Sequence, residues 1–293
     1  MLHDYRTATL SETQLSLAHT LDCGQCFRWI PSPDGTWEGV VRGSLYRLGQ
    51  NALSDPSCRI YTDPVLRDYF DVDTDYLDIR NELSGLDGHL AEACRFAPGI
   101  RILRQEPWEA LCSFIISQNN NIKRIRQIIE RLSGRYGVPV AGTSRNAFPT
   151  ADALAKASDD ELRALGTGFR APYLLDAANN IASGRIVLDE LAALPVGQAR
   201  ARLMEIRGVG PKVADCALLY GLHRLEVFPI DVWMKRVMSR HYPDDDVSRF
   251  GRFAGIAQQY LFHLERTGVG ISHDASVARA EDLEERHGHG RTS

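Results

Sequence analysis

Lys212 and Asp231 are the two residues of this sequence best suited, by type and spacing, to do chemistry. Lys212 follows Pro211, and proline is favoured at the first position of a helix, where its missing N–H would have no partner anyway. A cation in the first turn opposes the helix dipole, so this lysine needs another reason to be there. The same dipole, together with burial, favours the uncharged amine, the form that attacks carbon. Asp231 stands nineteen residues later, after Val-Phe-Pro-Ile, where a further helix opens. Its plain reading is an N-cap. Its functional reading is a carboxylate aimed back at the lysine, able to stabilise positive charge as it develops.

The turn before Lys212 says what the pair would act on. Residues 203–221 read LMEIRGVGPKVADCALLYG. A short helix ends at Gly208, Gly208-Val209-Gly210 turns, and a second helix starts at Pro211. This is a helix-hairpin-helix pattern. Its glycines let the backbone pass close to a phosphate, and the N–H groups of the second helix's first turn face an anion. The net charge of −4 and pI near 6.1 argue weakly against a nucleic acid partner. The distribution argues for one. Residues 55–92 carry ten acidic side chains and three arginines, whereas residues 117–136 carry five basic side chains and one acid. A local basic face binds phosphate while the rest of the surface stays acidic.

The elements that must hold these residues fall into two parts. CFRWIPSP, TWEGVVRG and SLYRLGQ alternate apolar and polar residues between turn signals, as antiparallel strands do. After residue 103 the pattern changes to consecutive amphipathic helices, mostly stopped by glycine. The expected fold class is α+β: a strand-rich N-terminal domain over residues 1–103, an all-helical domain over 104–272 that carries the hairpin, and a polar tail over 273–293 with no packed structure. The six cysteines are scattered and read as reduced thiols, Cys23 and Cys26 included, because no second metal-ligating pair follows them. No apolar run of membrane-spanning length and no signal segment is present, so a cytoplasmic protein is expected (nucleoid-associated if bacterial), with no membrane partner.

The hairpin with Lys212 and Asp231 resembles the helix-hairpin-helix, Gly/Pro-loop, Asp superfamily of DNA glycosylases. CGQCFRW (23–29), SFIISQNNNIKRIRQIIERL (113–132), LGTGFRAPYL (165–174), GVGPKVADC (208–216) and AGIAQQYLF (254–262) occur in the order of the eukaryotic-type 8-oxoguanine DNA glycosylase/AP lyases and their bacterial relatives. The resemblance implies that Lys212 is the Schiff-base nucleophile and Asp231 the essential carboxylate. It makes Gly24 a backbone reader of the damaged base, Gln258 a reader of its Watson–Crick edge, Phe262 its stacking platform and Cys216 the partner of Lys212 in a dipole against it. It has Asn119 fill the gap left by the flipped base, Arg124 and Arg170 grip the estranged cytosine, and Phe169 wedge beside it. Gly208, Val209 and Gly210 hold a DNA phosphate.

The implied partner is double-stranded DNA containing a damaged base, bound by a monomer. No cofactor and no catalytic metal are implied, though a cation on the hairpin carbonyls of Met204, Ile206 and Val209 fits the resemblance. There are departures: Trp233, Tyr220 and Cys26 stand where the eukaryotic relatives carry histidine, methionine and serine. Two other readings remain open from sequence: a glycosylase for an alkylated base or oxidised pyrimidine, and a non-enzymatic hairpin module that only holds phosphates.

Overall fold

The structure is a computed structural model that describes residues 9–244 and 246–267. The expected tail, 273–293, lies outside the described residues. Three antiparallel strands form one sheet in the order β1-β2-β3: β1 Trp29–Pro31, β2 Thr36–Val41 and β3 Ser44–Gly49. These are the three segments whose alternation predicts strands. The β2–β3 turn is the two-residue Arg42-Gly43, both at positive φ, which suits the strand twist. Gly39 is required by packing. A Cβ there would come within 2.3 Å of the Trp29 ring lying across the sheet. Trp29, Trp37, Tyr46 and Leu48 pack with Leu15, Ile60 and Phe70 into a small core of their own.

Strand character stops at residue 49, short of the expected 103. The acidic stretch that follows folds into short helices, among them Pro64–Tyr69, Tyr76–Ser84 and Gly88–Phe96. Asp63, Asp75 and Asp87 each accept a first-turn N–H there as N-caps, so acids that read as mere surface charge start helices. Leu83, Leu90 and Cys94 from these helices are buried in the larger core, alongside Ile115, Leu218 and Leu261 of the helical part. The packing therefore crosses the chain boundary expected at 103/104. Within the N-terminal part, Arg101, 1% exposed, donates to the carbonyls of Gln14, Phe70, Asp71 and Thr74.

The helical part is built around Pro107–Ser117, whose residues 110–116 are all buried. The second hairpin helix, Pro211–Tyr220, packs along it. This places the end of one helix, at Phe114 and Ser117, against the start of the other, at Lys212 and Cys216. All six cysteines are free thiols. Among the described residues no helix is long and apolar enough to cross a membrane.

Candidate active site

The hairpin runs from helix Val196–Leu203 to helix Pro211–Tyr220. Gly208 has φ +78°, and a Cβ there would come within 2.3 Å of the Tyr173 ring. Only glycine meets both demands. The Val209 N–H closes the turn onto the Ile206 carbonyl at 3.0 Å. Asp176 accepts from the Arg207 N–H at 2.7 Å and so ties the turn to helix Ala171–Ala182. Gly210, the N-cap, has no side chain to offer the first turn, so its N–H groups carry no side-chain cap. A Cβ at Gly210 would meet nothing within 4 Å, which leaves open space over those donors.

Lys212, in that first turn, lines one small pocket of about 50 Å³ together with Gly24, Phe114, Cys216, Tyr220, Pro229, Asp231, Gln258 and Phe262. Six residues named from sequence thus converge on one cavity. The Nζ of Lys212 donates to Ser117 Oγ at 3.3 Å and sits 5.2 Å from the centre of the Phe114 ring. Ser117 Oγ donates its own hydrogen to the Phe114 carbonyl at 2.8 Å, which turns its lone pairs toward the amine. Asp231 caps helix Val232–His241, accepting the Met234 N–H at 2.8 Å. Asp231 is thus an N-cap that also lines the lysine's pocket. Among the described residues it forms no ion pair with Lys212.

Cys216, one turn after Lys212, is buried. Burial pushes its thiol up to about 11, against the opposing pull of the Lys212 charge, so it is a neutral thiol at physiological pH. The thiols of the C-x-x-C pair are likewise raised by burial, Cys23 to about 11. Between them Gln25, fully buried, donates to the carbonyls of Thr20 and Arg101 and accepts from the Leu103 N–H. This bracing holds Gly24 at φ +88°, against the ring of Phe262: a Cβ on Gly24 would lie 3.4 Å from it. Neither Gln25 nor Ser117 was singled out by sequence for these roles. Their partners are long-range, and no local pattern encodes them.

A second cluster lies at the start of helix Ile122–Tyr136. Asn119 is exposed at φ +48°, a conformation that asparagine tolerates better than most side chains. Asn121 caps the helix through the Arg124 N–H, and the Arg124 side chain is exposed. Arg170 is different. It is 3% exposed and donates to the carbonyls of Gln118, Asn119 and Thr167. At the left-handed turn of Asn119, Arg170 thus supplies donors to the carbonyls of Gln118 and Asn119. The guanidinium also lies 4.2 Å over the Phe169 ring, which is 47% exposed. Trp233, at one of the departures, carries Arg236 over its ring at 5.2 Å.

Two family models cover most of the chain: the 8-oxoguanine DNA glycosylase N-terminal domain over residues 7–111, and the HhH-GPD superfamily base excision DNA repair protein over residues 112–249. The N-glycosylase/DNA lyase of Saccharomyces cerevisiae is 31% identical over 83% of this chain and 72% of its own length. Among solved structures, MBOgg1 in complex with a low-affinity DNA ligand superposes with a TM-score of 0.79, at 37% identity over 86% of this chain and 92% of that one. The Clostridium acetobutylicum 8-oxoguanine glycosylase/lyase, in complex with DNA containing cytosine opposite 8-oxoguanine, gives 0.75 at 33% identity, again over 86% and 92%. The chain belongs to the 8-oxoguanine DNA glycosylase family, within the HhH-GPD superfamily of base excision DNA repair proteins.

Proposed function

We propose that this chain is a bifunctional DNA glycosylase/AP lyase that excises 8-oxoguanine, preferentially opposite cytosine, and then cleaves the strand. One observation carries the reading: Lys212 and Asp231 line the same pocket as Gly24, Cys216, Gln258 and Phe262, directly behind the hairpin. The first-turn N–H groups after Gly210 take a phosphate. The lesion leaves the stack at a cost of a few kcal/mol. A pocket of about 50 Å³ is too small for a purine, so Phe262 and Gly24 part as the base enters. Phe262 then stacks on one face, beside the Lys212–Cys216 pair, and Gln258 meets the Watson–Crick edge. The Gly24 carbonyl accepts N7–H, a donor that 8-oxoguanine has and guanine lacks. In a dry site an unpaired polar group costs about 1–3 kcal/mol.

The Lys212 amine attacks C1′ with its lone pair as the C1′–N9 bond breaks, and the base leaves with the bonding electrons and is protonated. Asp231 stabilises the oxocarbenium-like charge and takes up a proton from the attacking nitrogen. Ring opening gives the Schiff base. Loss of a 2′ proton then expels the 3′ phosphate by β-elimination. On the opposite strand Asn119 fills the gap, Phe169 wedges beside it, and Arg124 and Arg170 face the O2 and N3 acceptors of cytosine. We read the protein as a cytoplasmic monomer, with a cation on the carbonyls of Met204, Ile206 and Val209 as a supplementary phosphate clamp. The test is single-turnover excision from duplexes carrying 8-oxoguanine opposite each of the four bases. Removal of 8-oxoguanine, fastest opposite cytosine, supports the reading; a chain that leaves 8-oxoguanine in place contradicts it.

A further inference from the structure

The proposed reaction leaves one polar side chain of the pocket idle. Tyr220 ends the second hairpin helix, is 4% exposed, and stacks on Phe114 with ring centres 5.1 Å apart. Its hydroxyl lies 2.7 Å from Gln259 Oε1 and 3.2 Å from Gln258 Oε1. Gln259 in turn donates to the carbonyl of Cys23 at 3.1 Å, one residue before Gly24. A single phenol thus joins the helix that carries the edge reader to the loop that carries the carbonyl reader.

We infer that Tyr220 is a positioning residue that fixes the Gln258 amide with its oxygen toward the base, making the pocket select a nucleobase edge that donates N–H. The inference rests on the reading that Gln258 meets the base. A phenol has one hydrogen. That hydrogen is shared between the two amide oxygens, 2.7 Å away on Gln259 and 3.2 Å away on Gln258, so the Gln258 oxygen is held on the Tyr220 side of the pocket by the longer branch and keeps a lone pair for the ligand. Burial pushes the Tyr220 hydroxyl well above its usual range, so it remains a donor at working pH. A guanine-type edge brings N1–H and the 2-amino group to that lone pair. Hypoxanthine lacks the 2-amino donors.

The test uses the full chain and Tyr220→Phe, which removes only the hydroxyl. Three quantities are read: single-turnover excision of 8-oxoguanine, excision of 8-oxohypoxanthine in the same duplex, and borohydride trapping on an abasic site. The wild type is expected to favour 8-oxoguanine by about tenfold, the scale of one unmade hydrogen bond in a dry site. In the variant that ratio falls toward one, 8-oxoguanine excision slows by a similar factor, and abasic-site trapping is unchanged because it needs no base. A variant that keeps the wild-type ratio overturns the assignment, as does one that loses trapping and excision of both bases equally, which is the mark of a merely structural residue. A wild type that excises no 8-oxoguanine contradicts the proposed function itself, a result separable from either of these.

Discussion

The Nζ of Lys212 lies 3.3 Å from the Ser117 hydroxyl, so the last residue of one helix holds the amine that the first turn of another presents. Asp231 shares the pocket without pairing with that amine, and its Oδ1 is already committed to the Met234 N–H. Cap and carboxylate can therefore be separated by mutation. Asn also caps helices, so Asp231→Asn is expected to keep stability within about 0.5 kcal/mol of wild type. Its single-turnover excision should fall by about 100-fold or more, the scale of losing one preorganised electrostatic partner. Unchanged excision would leave Asp231 a cap and nothing else.

The two hairpin glycines should separate folding from binding. Gly208→Ala forces a side chain into the left-handed region and into the Tyr173 ring, at an expected cost of about 2–4 kcal/mol in urea unfolding. Gly210→Ala meets open space within the protein. It should leave unfolding nearly unchanged but weaken binding to any duplex, because the methyl stands where a phosphate approaches. Equal unfolding midpoints for the two variants would contradict this division.

The same pair shows what was legible in the sequence. Gly208, Gly210, Pro211 and the cap Asp231 act within a few residues of themselves, so spacing alone points to them. The clash that makes Gly208 obligatory comes from Tyr173, thirty-five residues away, and no local pattern could contain it. The strands at 29–49 were legible from alternation, but the helices at 64–96 were hidden because they are short and begin at aspartates within a generally acidic stretch. Lys212 and Asp231 stand out by type and spacing, whereas the other four pocket residues, Gly24, Cys216, Gln258 and Phe262, come only through the family resemblance. The supports beneath them, Gln25, Ser117 and Gln259, exist only once distant segments pack.

Arg124 and Arg170 should behave differently although the resemblance pairs them. Arg124 is exposed, so Arg124→Ala is expected to flatten the preference for cytosine while changing stability by no more than about 0.5 kcal/mol. Arg170→Ala strips donors from the carbonyls of Gln118 and Asn119. It should lower stability by about 1–3 kcal/mol as well as flatten the preference. Thermal melting and excision from the four duplexes read both effects, and full cytosine preference in Arg124→Ala would contradict its role.

Glu109 gives a pH dependence apart from catalysis. Burial pushes its carboxyl up to about 7 despite the nearby Arg28 guanidinium. The folded chain therefore holds this proton more tightly than the unfolded chain, whose glutamate titrates near 4.5. The contribution to stability falls as pH rises between these values and is level above them. Glu109→Gln removes that fall. Relative to wild type it should gain about 1–3 kcal/mol between pH ~5 and pH ~8 in urea unfolding. Parallel stability–pH curves would contradict the burial argument.

The identity of the nucleophile is tested most directly by borohydride reduction during reaction with a duplex carrying 8-oxoguanine opposite cytosine. An amine on C1′ passes through an imine, and reduction freezes it as a covalent protein–DNA adduct. The wild-type chain is expected to give that adduct with the cross-link on Lys212, and Lys212→Gln should bind the same duplex yet give neither adduct nor strand cleavage. An adduct of wild-type yield from Lys212→Gln, or a cross-link mapped to another residue, would contradict the account.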